Sequence, residues 1–137
     1  IKIDDYIAAF DTKAIDGMIM TMRATDEKWS FVRLDHKRQV IELREKQVIS
    51  NEATVGIYNF SKGSDFVSAA DKMIAKNIRT NNEFYVAPVY NEMISNGKKI
   101  KIFNIGELGN GMHGLGTPSD LIAFLKTATA SRLSKNN

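Results

Sequence analysis

The sequence has no cysteine, only two prolines and one tryptophan, and little net charge: 19 Lys+Arg stand against 16 Asp+Glu in 137 residues, a formal +3. Without cysteine there is no disulfide scaffold, no thiolate metal site and no cysteine nucleophile. Such a chain suits a reducing or indifferent compartment, and a cytoplasmic location is expected. No apolar run approaches the ~20 residues that cross a bilayer, so no membrane partner is expected. The basic residues are scattered. Lys37 and Arg38 fall in a turn, Lys98, Lys99 and Lys101 flank a strand, and Arg132 and Lys135 lie in a polar tail. No basic stripe is interleaved with aromatics, so no nucleic-acid partner is expected. A mildly basic pocket for a small phosphate-bearing ligand remains open.

The length allows one domain with a real core, or part of one. Hydrophobic residues make up 43% of the chain. Residues 4–14 predict a helix capped by Asp4 or Asp5, with Tyr6, Ile7 and Phe10 on its apolar face, ended before Gly17. Residues 18–23 alternate Met18, Met20 and Met22 with Ile19, Thr21 and Arg23, a strand buried on at least one face. Residues 29–34 and 39–45 read as two strands around the polar turn Asp35–Arg38, a hairpin. Residues 53–60 form a further strand.

Helices follow. One is capped by Ser64 or Asp65, with Phe66, Ala69, Ala70, Met73, Ile74 and Asn77 at helical spacing. A second spans 83–96, with Pro88 in its first turn and Gly97 just past its end. Residues 99–105 alternate as a strand. Residues 106–116 are glycine-rich and read as a loop. Thr117, Pro118 and Asp120 suit N-cap, N1 and N3 of a last helix with Leu121, Ile122, Phe124, Leu125 and Ala128 on its face. Residues 131–137 read as a polar, flexible tail. The resulting order, α-β-β-β-β-α-α-β-α, predicts an α/β fold, a mixed sheet flanked by helices.

Several chemistries are excluded by pattern. His36 and His113 are far apart and at no metal-ligand spacing. The glycines of 106–116 match neither G-x-x-x-x-G-K-S/T nor a strand-loop-helix G-x-G-x-x-G. No Ser-His-Asp set is recognisable. Two positions carry more. Glu45 and Lys46 end a strand: a carboxylate that accepts hydroxyl protons beside an ammonium that meets phosphate would suit a sugar phosphate. The alternative is a solvated, charged strand end. Gly56 sits inside a strand of large residues, which marks either a ligand or backbone pressing close, or a β-bulge.

At Glu45-Lys46, at Ala53-Thr54-Val55-Gly56-Ile57-Tyr58, at Glu83 to Asn91, and at Gly114-Leu115-Gly116-Thr117-Pro118-Ser119-Asp120-Leu121, the chain resembles the sugar-nucleotide pyrophosphorylase family of nucleotidyltransferases. The resemblance looks closest to the capsule or surface-polysaccharide variants of bacteria, and it covers nearly the whole chain in order. It implies a partial nucleotide-diphospho-sugar transferase fold, with residues 1–130 as a sugar-phosphate-binding part. It implies transfer between a nucleoside triphosphate and a sugar 1-phosphate, giving an NDP-sugar and pyrophosphate. Glu45 would bond sugar hydroxyls and Lys46 the sugar phosphate; Gly56 would admit the sugar; Glu83 and Tyr85 would line the cleft.

Two departures stand out. The family's usual Pro after the Glu-Lys pair is Gln47 here. The aspartate that many relatives use for Mg²⁺, two residues before the Gly of Gly-Thr-Pro, is Gly114. The resemblance also implies that the nucleotide loop, an activating Lys and a Mg²⁺-binding Asp precede Ile1. On that expectation this chain holds no catalytic residue and is inactive alone. The strands 18–23 and 53–60 would lose their sheet neighbours, and the chain would form a homo-oligomer or associate with the missing N-terminal half. Two other functions fit the same residues: a glycosyltransferase of this fold that consumes an NDP-sugar, and a non-catalytic sugar-phosphate-binding or assembly module.

Overall fold

The computed structural model describes residues 3–11 and 13–134. Its centre is strand β1 (Gly17–Arg23), buried at every position except Arg23. Strand alternation sends its side chains to both faces. Ile19 joins the main core with Val32, Leu43, Met73, Tyr90 and Ile100. Met18 and Met20 pack on the other face against Tyr6 and Ile15, and Met22 against Phe31 and Ala53. A strand sandwiched on both sides reads as a continuous apolar run, which is what residues 18–22 are.

The sheet has the order β3 (Val40–Arg44), β2 (Phe31–Leu34), β4 (Glu52–Phe60), β1, β5 (Ile100–Leu108), β6 (Gly111–Met112). β4 (Glu52–Phe60) runs antiparallel to β1, and β5 (Ile100–Leu108) parallel to it. The expectation that strands 18–23 and 53–60 lack sheet neighbours is overturned for the first; the second pairs along its length with β1 but on its other edge only at Ala53. β1 is flanked by β4 and β5, and β4 by β1 and, at Ala53, by Phe31 of β2. β2 (Phe31–Leu34) and β3 (Val40–Arg44) form the predicted hairpin. Its turn is built by one side chain: Asp35 Oδ1 accepts from the amides of Lys37 and Gln39, each at 2.8 Å. His36 lies exposed in that turn, as expected.

The helices are α1 (Ile3–Ala9), α2 (Gly63–Ala75), α3 (Val89–Ser95), α4 (Pro118–Leu125) and α5 (Ala128–Ser134). α1 stops well short of residue 14. Asp11 accepts from the Lys13 amide through its side chain, a local bond that competes with helix. α2 starts after Lys62 with no side-chain cap. Asp65, expected to cap it, is held by Lys98 at 2.7 Å instead. α3 begins only after Pro88, because the residue before a proline is pushed out of the helical region. Residues 83–87 are extended or in turns, and Glu83 pairs with Thr80 in a short bridge.

Two further elements were not expected. β5 continues through Gly106 to Leu108, and β6 (Gly111–Met112) pairs with its end at Glu107 and Leu108. A Cβ at Gly111 would lie 1.8 Å from the Ile105 carbonyl oxygen, so the glycines of this stretch permit a tight strand crossing rather than a loose loop. α5 carries helix into the stretch read as a polar tail; Lys135 lies outside the described residues. α4 starts as predicted, with Thr117 Oγ1 accepting from the Asp120 amide at 3.2 Å. Its expected apolar face is not covered: Leu121, Ile122 and Leu125 are exposed.

Candidate functional site

Glu45 and Lys46 immediately follow β3. Lys46 adopts a left-handed backbone, φ 53°, which is uncommon for a side chain of this kind. The two residues consequently part. Glu45 turns into a cleft of about 200 Å³ lined also by Lys28, Trp29, Ser30, Thr54, Gly56 and Tyr58. Lys46 borders a wider, adjoining cleft of about 690 Å³ with Asp26, Glu27, Lys28, Thr80 and Asn81. Lys28 lines both, so the clefts share a wall.

The structure thus brings Glu45 and Gly56 together in one cleft, and Lys46, Glu83 and Tyr85 together beside it. Lys46 Nζ donates to the Tyr85 hydroxyl at 3.0 Å, and that hydroxyl donates to Glu83 Oε2 at 2.7 Å. The ammonium also stands 5.1 Å from the Tyr85 ring centroid. The Tyr85 hydroxyl raises the Lys46 pKa above its ordinary value, with smaller help from Glu45 and Glu83. Lys46 therefore stays charged, and an ammonium has three donors, so two remain for an anion.

Gly56 sits at a bulge. The β1–β4 register passes from Ile19↔Tyr58 to Thr21↔Thr54, leaving Val55, Gly56 and Ile57 opposite Met20. Gly56 has φ 83°, and no atom lies within 4 Å of where its Cβ would be. The bulge reading of the sequence is right, and no backbone presses on the glycine. The space beside it is open to the cleft. Thr54 Oγ1 and the Tyr58 hydroxyl meet at 2.9 Å across the bulge and fix its two ends. Burial raises the Tyr58 pKa, so its hydroxyl stays protonated across the neutral range.

Sequence reasoning missed Lys28, Trp29, Ser30, Thr54 and Tyr58 as cleft residues. The signal available was Ser30, just before β2, and Thr54, in β4: small polar residues at buried positions, 7% and 3% exposed, need partners. Ser30 Oγ donates to Glu45 Oε2, and the Ser30 carbonyl accepts from the Thr54 amide at 2.8 Å.

A divalent cation finds little to hold it. Among the described residues there is no group of three His, Cys, Asp or Glu that could bind a metal. At Gly114 the nearby carboxylate is that of Asp120, whose Cγ lies 3.4 Å from where a Cβ on Gly114 would be. Mg²⁺ commonly takes one or two carboxylates together with substrate phosphates and waters, so Asp120 could supply only part of such a site. Among the described residues the protein groups alone make no complete cage for the ion.

This mixed sheet flanked by helices matches part of the fold of solved sugar nucleotidyltransferases. A nucleoside-diphosphate-sugar pyrophosphorylase from Vibrio cholerae RC9 superposes with TM-score 0.77 and 28% identity over 85% of this chain and 48% of that one. A protein described as a glucose-1-phosphate thymidylyltransferase from Bacillus anthracis, in complex with sucrose, matches with TM-score 0.63 and 19% identity, covering 90% of this chain and 47% of that one. A CMP:2-keto-3-deoxy-manno-octonic acid synthetase complexed with CTP matches in fold, with TM-score 0.53 and 12% identity, over all of this chain and 58% of that one. The chain spans about half the length of the structures it matches. No family model matches it, and no curated protein matches its sequence.

Proposed function

We propose that this chain is the sugar-phosphate-binding part of a nucleotidyltransferase that joins a nucleoside triphosphate to a sugar 1-phosphate, forming an NDP-sugar and pyrophosphate. The observation that carries the reading is the Glu45 carboxylate in one cleft with the open Gly56 bulge, with the Lys46 ammonium in the adjoining cleft. The likeness to the Vibrio pyrophosphorylase supports it.

In this reading Glu45 accepts hydrogen bonds from sugar hydroxyls, and the absent side chain at Gly56 leaves room for the ring. Lys46, held by Tyr85 and Glu83, meets the phosphate. Its charge offsets the negative oxygens of the nucleophile as they approach the nucleotide, a contribution of positioning and electrostatics. Mg²⁺ and the nucleotide would be held chiefly by residues other than those described. The product would serve bacterial surface-polysaccharide synthesis in the cytoplasm, and the chain would work in a homo-oligomer or with a nucleotide-binding partner segment.

The test is pyrophosphate release by the protein that carries this chain, with Mg²⁺ and a matrix of nucleoside triphosphates and hexose 1-phosphates. Release with at least one pair, lost in Lys46→Ala, is expected. No release with any pair would overturn the reading.

A further inference from the structure

One contact in the cleft has no role in the scheme above. Ser30 Oγ donates to Glu45 Oε2 from the residue just before β2, across from the strand end that carries Glu45. Ser30 is itself buried and tied by its backbone. Its residue is 7% exposed, and its carbonyl is tied to β4 through the Thr54 amide at 2.8 Å. Thr54 in turn is tied to Tyr58 at 2.9 Å across the Gly56 bulge. Glu45, by contrast, is only half-buried at a strand end, with three side-chain torsions to fix.

We propose that Ser30 is a positioning residue: its hydroxyl fixes the Glu45 carboxylate in the cleft and so sets the direction in which Oε1 meets a ligand hydroxyl. The carboxylate keeps Oε1, and one lone pair of Oε2, for ligand hydroxyls. The site then presents these acceptors in a fixed direction, and the side-chain entropy of Glu45 is lost on folding rather than on binding. This proposal rests on the sugar-phosphate reading of the cleft.

The test is an NMR titration of the chain with α-glucose 1-phosphate and α-mannose 1-phosphate as probes. It compares the parent, Ser30→Ala, Ser30→Thr, Glu45→Gln and the Ser30→Ala/Glu45→Gln double variant. Ser30→Ala is expected to weaken binding about 5–10-fold, the effect of freeing one rotamer-rich side chain. Ser30→Thr keeps the hydroxyl and is expected to stay within about twofold of the parent. In the Glu45→Gln background Ser30→Ala should cause less loss than in the parent, because the two changes disable one device. If the parent binds and Ser30→Ala binds equally well, or loses the same factor in both backgrounds, the positioning role is wrong while the cleft reading stands. If the parent binds neither probe, the cleft reading fails and the positioning role falls with it.

Discussion

Gly56 and Gly111 both have positive φ, yet the structure gives them different reasons to be glycine. At Gly56, φ is 83° and an added Cβ meets nothing within 4 Å. Gly56→Ala should therefore cost only the left-handed backbone term, about 1–2 kcal/mol. For a domain of this size that is a fall in Tm of roughly 3–8 °C. At Gly111 the added Cβ would lie 1.8 Å from the Ile105 carbonyl oxygen, a backbone atom that cannot rotate away. Gly111→Ala must push β6 off β5, so about 3 kcal/mol or more is expected. Urea unfolding of the two variants measures the difference. Their effects on ligand binding should be reversed, because only Gly56 lines the cleft. Equal destabilisation would refute the contrast between the two sites, and sugar-phosphate binding unaltered in Gly56→Ala would refute the cleft role of Gly56.

Three other outcomes follow from particular contacts. Tyr90 is fully buried and its hydroxyl donates to the Asn59 carbonyl at 2.9 Å, so Tyr90→Phe should cost about 1 kcal/mol in denaturant unfolding. Thr117→Ala removes the acceptor for the Asp120 amide and should lower α4 stability by about 1 kcal/mol, read as faster amide exchange in that helix, while Thr117→Ser should not. Asp16 has its carboxyl pKa lowered, first by the Lys99 amide bonded at 2.8 Å and then by Lys98. A lowered folded-state pKa adds stability that is present above the unfolded value and lost as pH falls through the folded one. Asp16→Asn should therefore be less stable than the parent near pH 7, and the gap should close on acidification below pH ~4.

The readable parts of the sequence were those where local chemistry and tertiary packing agree. Thr117, Pro118 and Asp120 form a cap from three neighbouring residues, so nothing distant could override it. The β2–β3 hairpin was legible because Asp35 builds its turn alone. The bulge at Gly56 was legible because a glycine among Val55, Ile57 and Tyr58 has few other uses in a strand. Elsewhere distant partners decided. Asp65 looks like a helix cap in isolation, but Lys98, 33 residues on, claims it. Pro88 can sit inside the first turn of a helix or stand just ahead of it; here it is the N-cap, and the stretch before it starts from the Thr80–Glu83 bridge instead of a helical turn.

The candidate site was half legible for the same reason. Glu45, Lys46 and Gly56 announce themselves by residue type, and Glu83 and Tyr85 came with the ordered set of motifs. The geometry that puts Glu45 and Gly56 in one cleft and Lys46 in the next, with Tyr85 and Glu83 bonded to Lys46 but lining neither, goes with the left-handed turn at Lys46. Ser30, Thr54 and Tyr58 are joined through strands paired across the sheet, and their order along the chain carries no trace of that link.

The central claim is that the Glu45–Lys46 clefts receive a sugar 1-phosphate. The most direct measurement is equilibrium binding to the chain of hexose 1-phosphates beside the same hexoses without phosphate and inorganic phosphate alone. The account predicts that the hexose 1-phosphate binds tighter than either half, that Glu45→Gln weakens the sugar-bearing ligands only, and that Lys46→Ala weakens the phosphate-bearing ones only. Equal affinity for phosphate and hexose 1-phosphate, unchanged by Glu45→Gln, would contradict it.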